Sequence, residues 1–409
     1  MDLILRNARL PGEPGRLVDI GVAAGKIVAI ETALSAEAET LDVDGRLVSP
    51  GFVETHLHLD KSCILERCVA DTGDLDEAIR QVAAAKASFT PEDVYRRARR
   101  TLERCILNGT THIRTHLEVD PGIGLMGLEG VLPLVAEYAW AVDLEICIFP
   151  QEGLFNNPGT EELMVEALRR GGACIGACPY TDSDPHGQID RIFTLARERD
   201  LDIDMHLDFS LDPAGMDLLH VCRRTEDFGY GGRVAIGHVT KMSALDPETF
   251  TATAKRLSSA GVALTALPST DLYLMGRAHA QNVPRGVTPA HRLLRHGVNC
   301  SLATNNVLNP FTPFGDCSLL RMANLYANVA QTGTAHDVKE CFNMVTSRAA
   351  ALMNLRAYGV SIGSEADLVV LDCQSAHAAV SELAPILYVL KRGRRTVTRE
   401  PAVLHRPGA

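Results

Sequence analysis

From residue 51 onward the chain carries eight short, nearly uninterrupted apolar runs, at 51–58, 111–119, 143–149, 173–178, 202–206, 233–238, 262–267 and 299–304. Runs of this length without polar alternation predict strands buried on both faces of a parallel sheet. Amphipathic segments fall between them. The sharpest opens at Thr90-Pro91-Glu92-Asp93, where a hydroxyl cap, a first-turn proline and two acids mark a helix N-terminus. Val94, Ala98, Leu102 and Ile106 then keep to one stripe until Asn108-Gly109 stops the pattern. Further helices are predicted over 160–170, 188–198, 213–226, 247–259 and 289–295. Eight strands alternating with helices predict a TIM-like (β/α)8 barrel, in which catalytic groups gather at the C-terminal ends of the strands.

The two ends of the chain are patterned differently. Residues 3–47 read as short strands broken by Gly12, Gly15, Gly21 and Gly25, with apolar runs such as Ile27-Val28-Ala29-Ile30. Near the other end, 358–371 is a glycine-punctuated turn feeding a strand, and strands at 386–392 and 396–398 can pair with those of the first fifty residues. The expected organisation is a composite β-sandwich domain from residues 1–50 plus 355–409, and a barrel over 51–354. A length of 409 residues suits that division.

Composition narrows the function. A formal net charge of −11 opposes nucleic-acid binding, which needs a basic face, and leaves a small molecule as the expected partner. No stretch approaches the apolar length of a membrane span, and the start Met1-Asp2-Leu3-Ile4-Leu5-Arg6 predicts no secretory leader. Eleven cysteines are scattered without paired close spacing, which predicts reduced thiols and a cytoplasmic protein.

Candidate chemistry sits at the strand ends. His56 and His58 are two apart on the first strand and so share a face. His206 ends the fifth strand, within Asp204-Met205-His206-Leu207-Asp208, and His238 ends the sixth. Imidazoles gathered at one barrel face suit a metal ion with an open water position. The fourth strand, Cys174-Ile175-Gly176-Ala177-Cys178, carries no lysine to bridge two ions, so a single metal is expected.

On these residues the chain resembles the amidohydrolase superfamily, in the branch of cytosine deaminase and N-isopropylammelide isopropylaminohydrolase. The resemblance spans nearly the whole chain. It rests on Val48-Ser49-Pro50-Gly51-Phe52-Val53-Glu54-Thr55-His56-Leu57-His58-Leu59-Asp60-Lys61-Ser62, Ile113-Arg114-Thr115-His116 and Phe149-Pro150-Gln151-Glu152-Gly153. It continues through Arg233-Val234-Ala235-Ile236-Gly237-His238, Leu274-Met275-Gly276-Arg277 and Tyr358-Gly359. The resemblance implies His56, His58 and His206 as ligands of one zinc or iron ion, and His238 acting on substrate or water. It implies Gln151 as a hydrogen-bonding partner of a heterocyclic amide. The implied activity is hydrolytic deamination of a nitrogen heterocycle by a metal-activated water, with proton transfer by a nearby group. Homo-oligomerisation is expected, as in many relatives.

Three positions depart from the family pattern, each by loss of a negative charge. Asn305 stands where the last metal-binding Asp is expected, which makes it a weak or lost ligand. Asn306 replaces a substrate-contacting Asp, and Phe209 replaces a catalytic Glu of cytosine deaminase, a Glu that the isopropylaminohydrolase lacks as well. His238 or Asp208 is then the expected proton carrier. Lys61, Gln151, Asn306 and Phe311 are expected to line the substrate pocket, and Lys61 can instead form a salt bridge with Asp60. His116 is expected to be a satisfied core histidine. Loops near 63–73 and 307–315 are placed to gate the pocket. The alternative is an impaired homologue, or an Asp-to-Asn variant at 305, that binds a ligand without turning it over.

Overall fold

The computed structural model describes residues 1–405, so the expected terminal stretch 406–409 lies outside the described residues. Five short strands come first: β1 (Leu3–Leu10), β2 (Glu13–Ala23), β3 (Lys26–Glu31), β4 (Glu39–Asp42) and β5 (Leu47–Pro50). The expected barrel follows as β6 (Phe52–Leu57), β7 (Thr110–Glu118), β8 (Asp143–Phe149), β9 (Cys174–Ile175), β10 (Asp202–Leu207), β11 (Val234–His238), β12 (Val262–Ala266) and β13 (Cys300–Leu302). Each of these pairs in parallel with the next, in sequence order. The tail adds β14 (Leu368–Leu371), β15 (Ile386–Lys391) and β16 (Arg394–Thr398).

The barrel closes where the first and last strands meet. One parallel bridge joins Leu57 to Asn305, flanked by Asn305 N–H to His56 carbonyl at 2.8 Å and His58 N–H to Asn305 carbonyl at 3.0 Å. Just below it, the buried Glu54 carboxylate accepts the N–H groups of Thr304 at 3.0 Å and His56 at 3.3 Å. Burial raises the Glu54 carboxyl to about 7 against these stabilising bonds.

The termini share one sheet in the order β16-β15-β14-β5-β1-β2-β3, with β4 beside β1. The two ends join as expected but through β14, while β15 and β16, expected to pair with the first fifty residues, pair with β14 and with each other. The seam is antiparallel, β14 on β5, with Val369 opposite Ser49. Alternation along these strands serves two cores. Val48, Leu368, Val370 and Leu390 meet Leu5, Ile20, Val22 and Ile27, whereas Leu47, Val369, Leu371 and Val389 turn into the barrel's core. Each fully buried Leu or Val contributes about 1.5–3 kcal/mol, which holds the sheet against the barrel. An ionic joint reinforces the contact: Lys391 Nζ lies 2.7 Å from Asp143 on the barrel and 2.6 Å from Asp367 on the tail.

Boundaries differ from expectation at three places. The helix expected over 213–226 is Leu218–Phe228, because the Asp208 carboxylate accepts the N–H groups of Asp217 and Leu218 and sets the start there. The fourth strand shrinks to Cys174–Ile175, where Gly176 runs so close to the Asp204 carbonyl that a Cβ would sit 2.5 Å from it. The eighth shortens to Cys300–Leu302, because the chain turns at Asn305 with φ 64°. Among the described residues no helix is long and apolar enough to cross a membrane.

Candidate metal centre and active site

The C-terminal ends of β6 and β10 bring three imidazoles together. His206 Nε2 lies 2.9 Å from His56 Nε2 and 3.0 Å from His58 Nε2, and all three rings are buried. His58 Nδ1 donates to the His116 carbonyl at 3.2 Å, which leaves its Nε2 as a lone pair facing the cluster. Phe149 stacks on His206 with ring centroids 4.5 Å apart. Burial, with the crowding of neighbouring imidazoles or Lys61, holds all three well below the ordinary histidine range. They are therefore neutral, the form that binds a metal.

This donor set fits a divalent transition ion. Nitrogens bound at about 2.0–2.1 Å to one ion stand roughly 3 Å apart, close to the 2.9 and 3.0 Å that separate His206 Nε2 from each of its two neighbours. Asn305 Oδ1 and His206 Nδ1 are buried without a hydrogen-bond partner. His56, His58 and His206 could hold such an ion, and the Asn305 amide would offer it at most a neutral, weak fourth donor.

His238, from β11, completes the quartet: its ring nitrogens reach within 4.8 Å of those of His56 and His206. Its Nδ1 lies 2.6 Å from Asp271 Oδ1, and its Nε2 lies 3.5 Å from Asn305 Nδ2. Phe209 packs on its face, with centroids 4.1 Å apart. The backbone is bent to aim the ring. His238 and Val239 both have positive φ, 67° and 50°, and Thr288 Oγ1 donates to both of their carbonyls, at 2.6 and 2.8 Å. Asp271 was not anticipated. Its only sequence signal is an acid soon after the seventh strand, in Pro268-Ser269-Thr270-Asp271.

The pocket residues also meet. Lys61 Nζ pairs with Glu118, reaches Gln151 Oε1 at 3.2 Å, and lies 4.7 Å above the Phe311 ring. Asn309 Nδ2 links the Asn306 amide oxygen at 2.7 Å to the Lys61 carbonyl at 3.2 Å. Lys86 closes the network on Glu118 and on Glu152 at 2.8 Å. Burial would raise the Glu118 carboxyl, but the two ammonium groups pull it down to about 2. Lys61 therefore pairs with Glu118 and not with Asp60, whose carboxylate instead accepts the N–H groups of Lys61 and Glu118, each at 2.9 Å.

The Asp208 carboxylate accepts the N–H groups of Asp217 at 2.9 Å and Leu218 at 3.0 Å, with Lys241 Nζ 3.8 Å away, and burial raises it to about 6. One expectation is corrected. His116 is not a satisfied core histidine. It stacks on His56 at 3.8 Å, its Nε2 is 3.5 Å from Asp204, and neither ring nitrogen makes a hydrogen bond. The open clefts lined by Pro50, Ser347 and Tyr358 (about 470 Å³) and by His112, Asp143 and Arg392 (about 320 Å³) lie at the opposite end of the barrel. The first contains none of this chemistry; the second brings ligand atoms of His112, Asp143 and Asp367 within 4.8 Å of one another, where Lys391 pairs with both acids.

A buried histidine quartet at the C-terminal mouth of a (β/α)8 barrel defines a hydrolase of the metal-dependent type. The model of the Amidohydrolase family matches residues 39–130 and 144–397, and the chain belongs to that family. It is 29% identical to N-isopropylammelide isopropyl amidohydrolase of Pseudomonas sp. (strain ADP), over 98% of each chain. It is 28% identical to pterin deaminase of Rhizobium rhizogenes, over 92% of this chain and 87% of that one. The solved structure of 5-methylcytosine deaminase from Klebsiella pneumoniae liganded with 5-fluorocytosine superposes with a TM-score of 0.94 and 29% identity, covering 99% of this chain and 100% of that one. These relatives place the chain in the branch expected from its motifs.

Proposed function

We propose that this amidohydrolase removes an exocyclic amine from a nitrogen heterocycle, using one zinc or iron ion held by His56, His58 and His206. The reading rests on one observation above others: a buried neutral His206 whose Nε2 lies 2.9 Å from that of His56 and 3.0 Å from that of His58, beside an Asp-paired fourth imidazole. The relatives named above act on an ammelide, a pterin and a methylated cytosine, all planar nitrogen heterocycles, and this supports that substrate class. The proposal takes 51–354 as the barrel domain and 1–50 with 355–409 as its companion, in a cytoplasmic homo-oligomer.

When bound, the ion would supply Lewis acidity that makes water a nucleophile at neutral pH. The protein does the rest. Lys61 donates to a ring carbonyl, and its charge favours electron-rich or anionic rings. Gln151 and Asn306 offer amide hydrogen bonds to the ring edge, and Phe311 forms a wall. His238 Nε2 accepts a proton from the attacking water and returns it to the departing nitrogen. Phe149 and Phe209 pack on the reacting imidazoles and exclude bulk water.

A second reading is supported by Asn305 and Phe209, where neutral residues replace two carboxylates: a homologue that binds a heterocycle without turning it over. One experiment separates the two. The purified protein is analysed for transition metal, then assayed for ammonia or amine release from pyrimidines, pterins and triazines with zinc, iron or manganese supplied. Stoichiometric metal with release from one class supports the enzyme. Absence of metal together with no release in any arm overturns it.

A further inference from the structure

We propose that Asp271 is the positioning residue that fixes the tautomer and orientation of His238, and thereby supplies the negative charge that positions 209 and 305 no longer carry. The inference rests on the reading of His238 as the proton carrier.

The geometry leaves Asp271 little other purpose. Its side chain has no exposed surface, and an ionised carboxylate is not kept in such a place without a partner. Oδ1 accepts His238 Nδ1–H at 2.6 Å, while Oδ2 accepts the N–H of Leu267 at 3.3 Å, so neither oxygen is free to swing away. With the proton held on Nδ1, the His238 Nε2 lone pair points to the side where Asn305 Nδ2 lies, 3.5 Å away. That orientation suits a base and opposes a ring that offers Nε2–H. The backbone device is independent of this pairing: Thr288 holds the two left-handed residues His238 and Val239. Strain there and a buried carboxylate behind the ring both serve the aim of one imidazole. The carboxylate also stabilises the imidazolium formed when Nε2 takes a proton, the task a neutral Asn305 or Phe209 cannot perform.

Asp271→Asn keeps the shape but can present an amide donor to Nδ1, whereas Asp271→Ala removes the partner. Both are expected to lower kcat by about 10²–10⁴-fold with KM and zinc content close to wild type; the isosteric Asn variant should also keep the melting temperature, whereas the Ala variant, which strands a buried His238 Nδ1, should melt lower. The second readout needs no turnover. In zinc-loaded protein with ¹⁵N-labelled histidine, the His238 signals, assigned by their loss in His238→Gln, should show a proton on Nδ1 and a lone pair on Nε2. In Asp271→Asn that pattern should invert or become mixed. Unchanged kcat in both variants, a fall in zinc content that tracks the activity loss, or a wild-type proton on Nε2 would each overturn the assignment. If the wild type turns over no heterocycle, the deaminase reading fails, and the tautomer spectrum alone decides the role of Asp271.

Discussion

The carbonyl of Asn305 accepts the backbone N–H of His58 at 3.0 Å, so the residue that lacks the expected metal-binding charge is also the one that closes the barrel. Its own N–H returns to His56 at 2.8 Å, and the two bonds pin its Cα beside the His-x-His pair whatever its side chain is. Residue 305 is therefore tunable in charge at fixed position.

Asn305→Asp should leave the fold intact and tighten zinc binding, since a carboxylate replaces a neutral amide whose buried oxygen has no other partner. An increase of about 10–100-fold in affinity is expected, read by competition with a chelator. Equal affinity for the two proteins would mean that the residue 305 side chain does not face the ion.

Asp208→Ala tests the cap assignment. Loss of an N-terminal cap costs about 0.5–2 kcal/mol, to be read as a shift in the urea midpoint. Metal content and KM should stay near wild type, because both oxygens are spent on Asp217 and Leu218. A stable variant without turnover would make Asp208 the proton carrier.

Much of this site was legible in the sequence, and the division follows physical range. His56, His58 and His206 could be found because strand periodicity fixes which side chains share a face, and because barrel strands present their last residues to one mouth. Asp271 could not, since its partner His238 lies 33 positions away and only packing of the helix Pro268–Leu274 under β11 brings them together. The Glu118 pairing with Lys86 and the stacking of His116 on His56 likewise depend on packing, to which local patterning is blind. For Asp208, an acid two residues past the expected ligand reads equally as catalytic or as a cap, and only the start of the next helix, at Leu218, shows what its carboxylate accepts.

Acid should weaken the joint between barrel and terminal sheet. Burial, and the nearby Lys391 ammonium, lower His112 from 6.5 to about 4, against the attraction of Asp367 and Asp143. The folded protein thus binds this proton more weakly than the unfolded chain does. The contribution is fully present above about pH 6.5 and is lost as pH falls through about 4, to a total of about 3 kcal/mol. His112→Gln should flatten that part of the stability curve between pH 4 and 6.5, as measured by urea unfolding. Parallel curves for the two proteins would remove His112 as its source.

Lys61 pairs with the buried Glu118 and, in the proposed reaction, also addresses the substrate; a pair of variants can separate the two. Lys61→Met leaves the buried Glu118 with Lys86 as its remaining ammonium partner, and breaking a buried pair on one side typically costs 3–5 kcal/mol. Because Lys86 remains, a loss of about 3 kcal/mol is expected. Adding Glu118→Gln removes the stranded charge, while Lys86 keeps Glu152 at 2.8 Å and Asp120 at 3.7 Å. Most of the stability should return in the double variant. Turnover should not, because the cation that addresses the substrate carbonyl is still missing, and kcat/KM is expected to stay at least about tenfold below wild type. Recovery of stability and kcat/KM together would make Lys61 a purely structural cation.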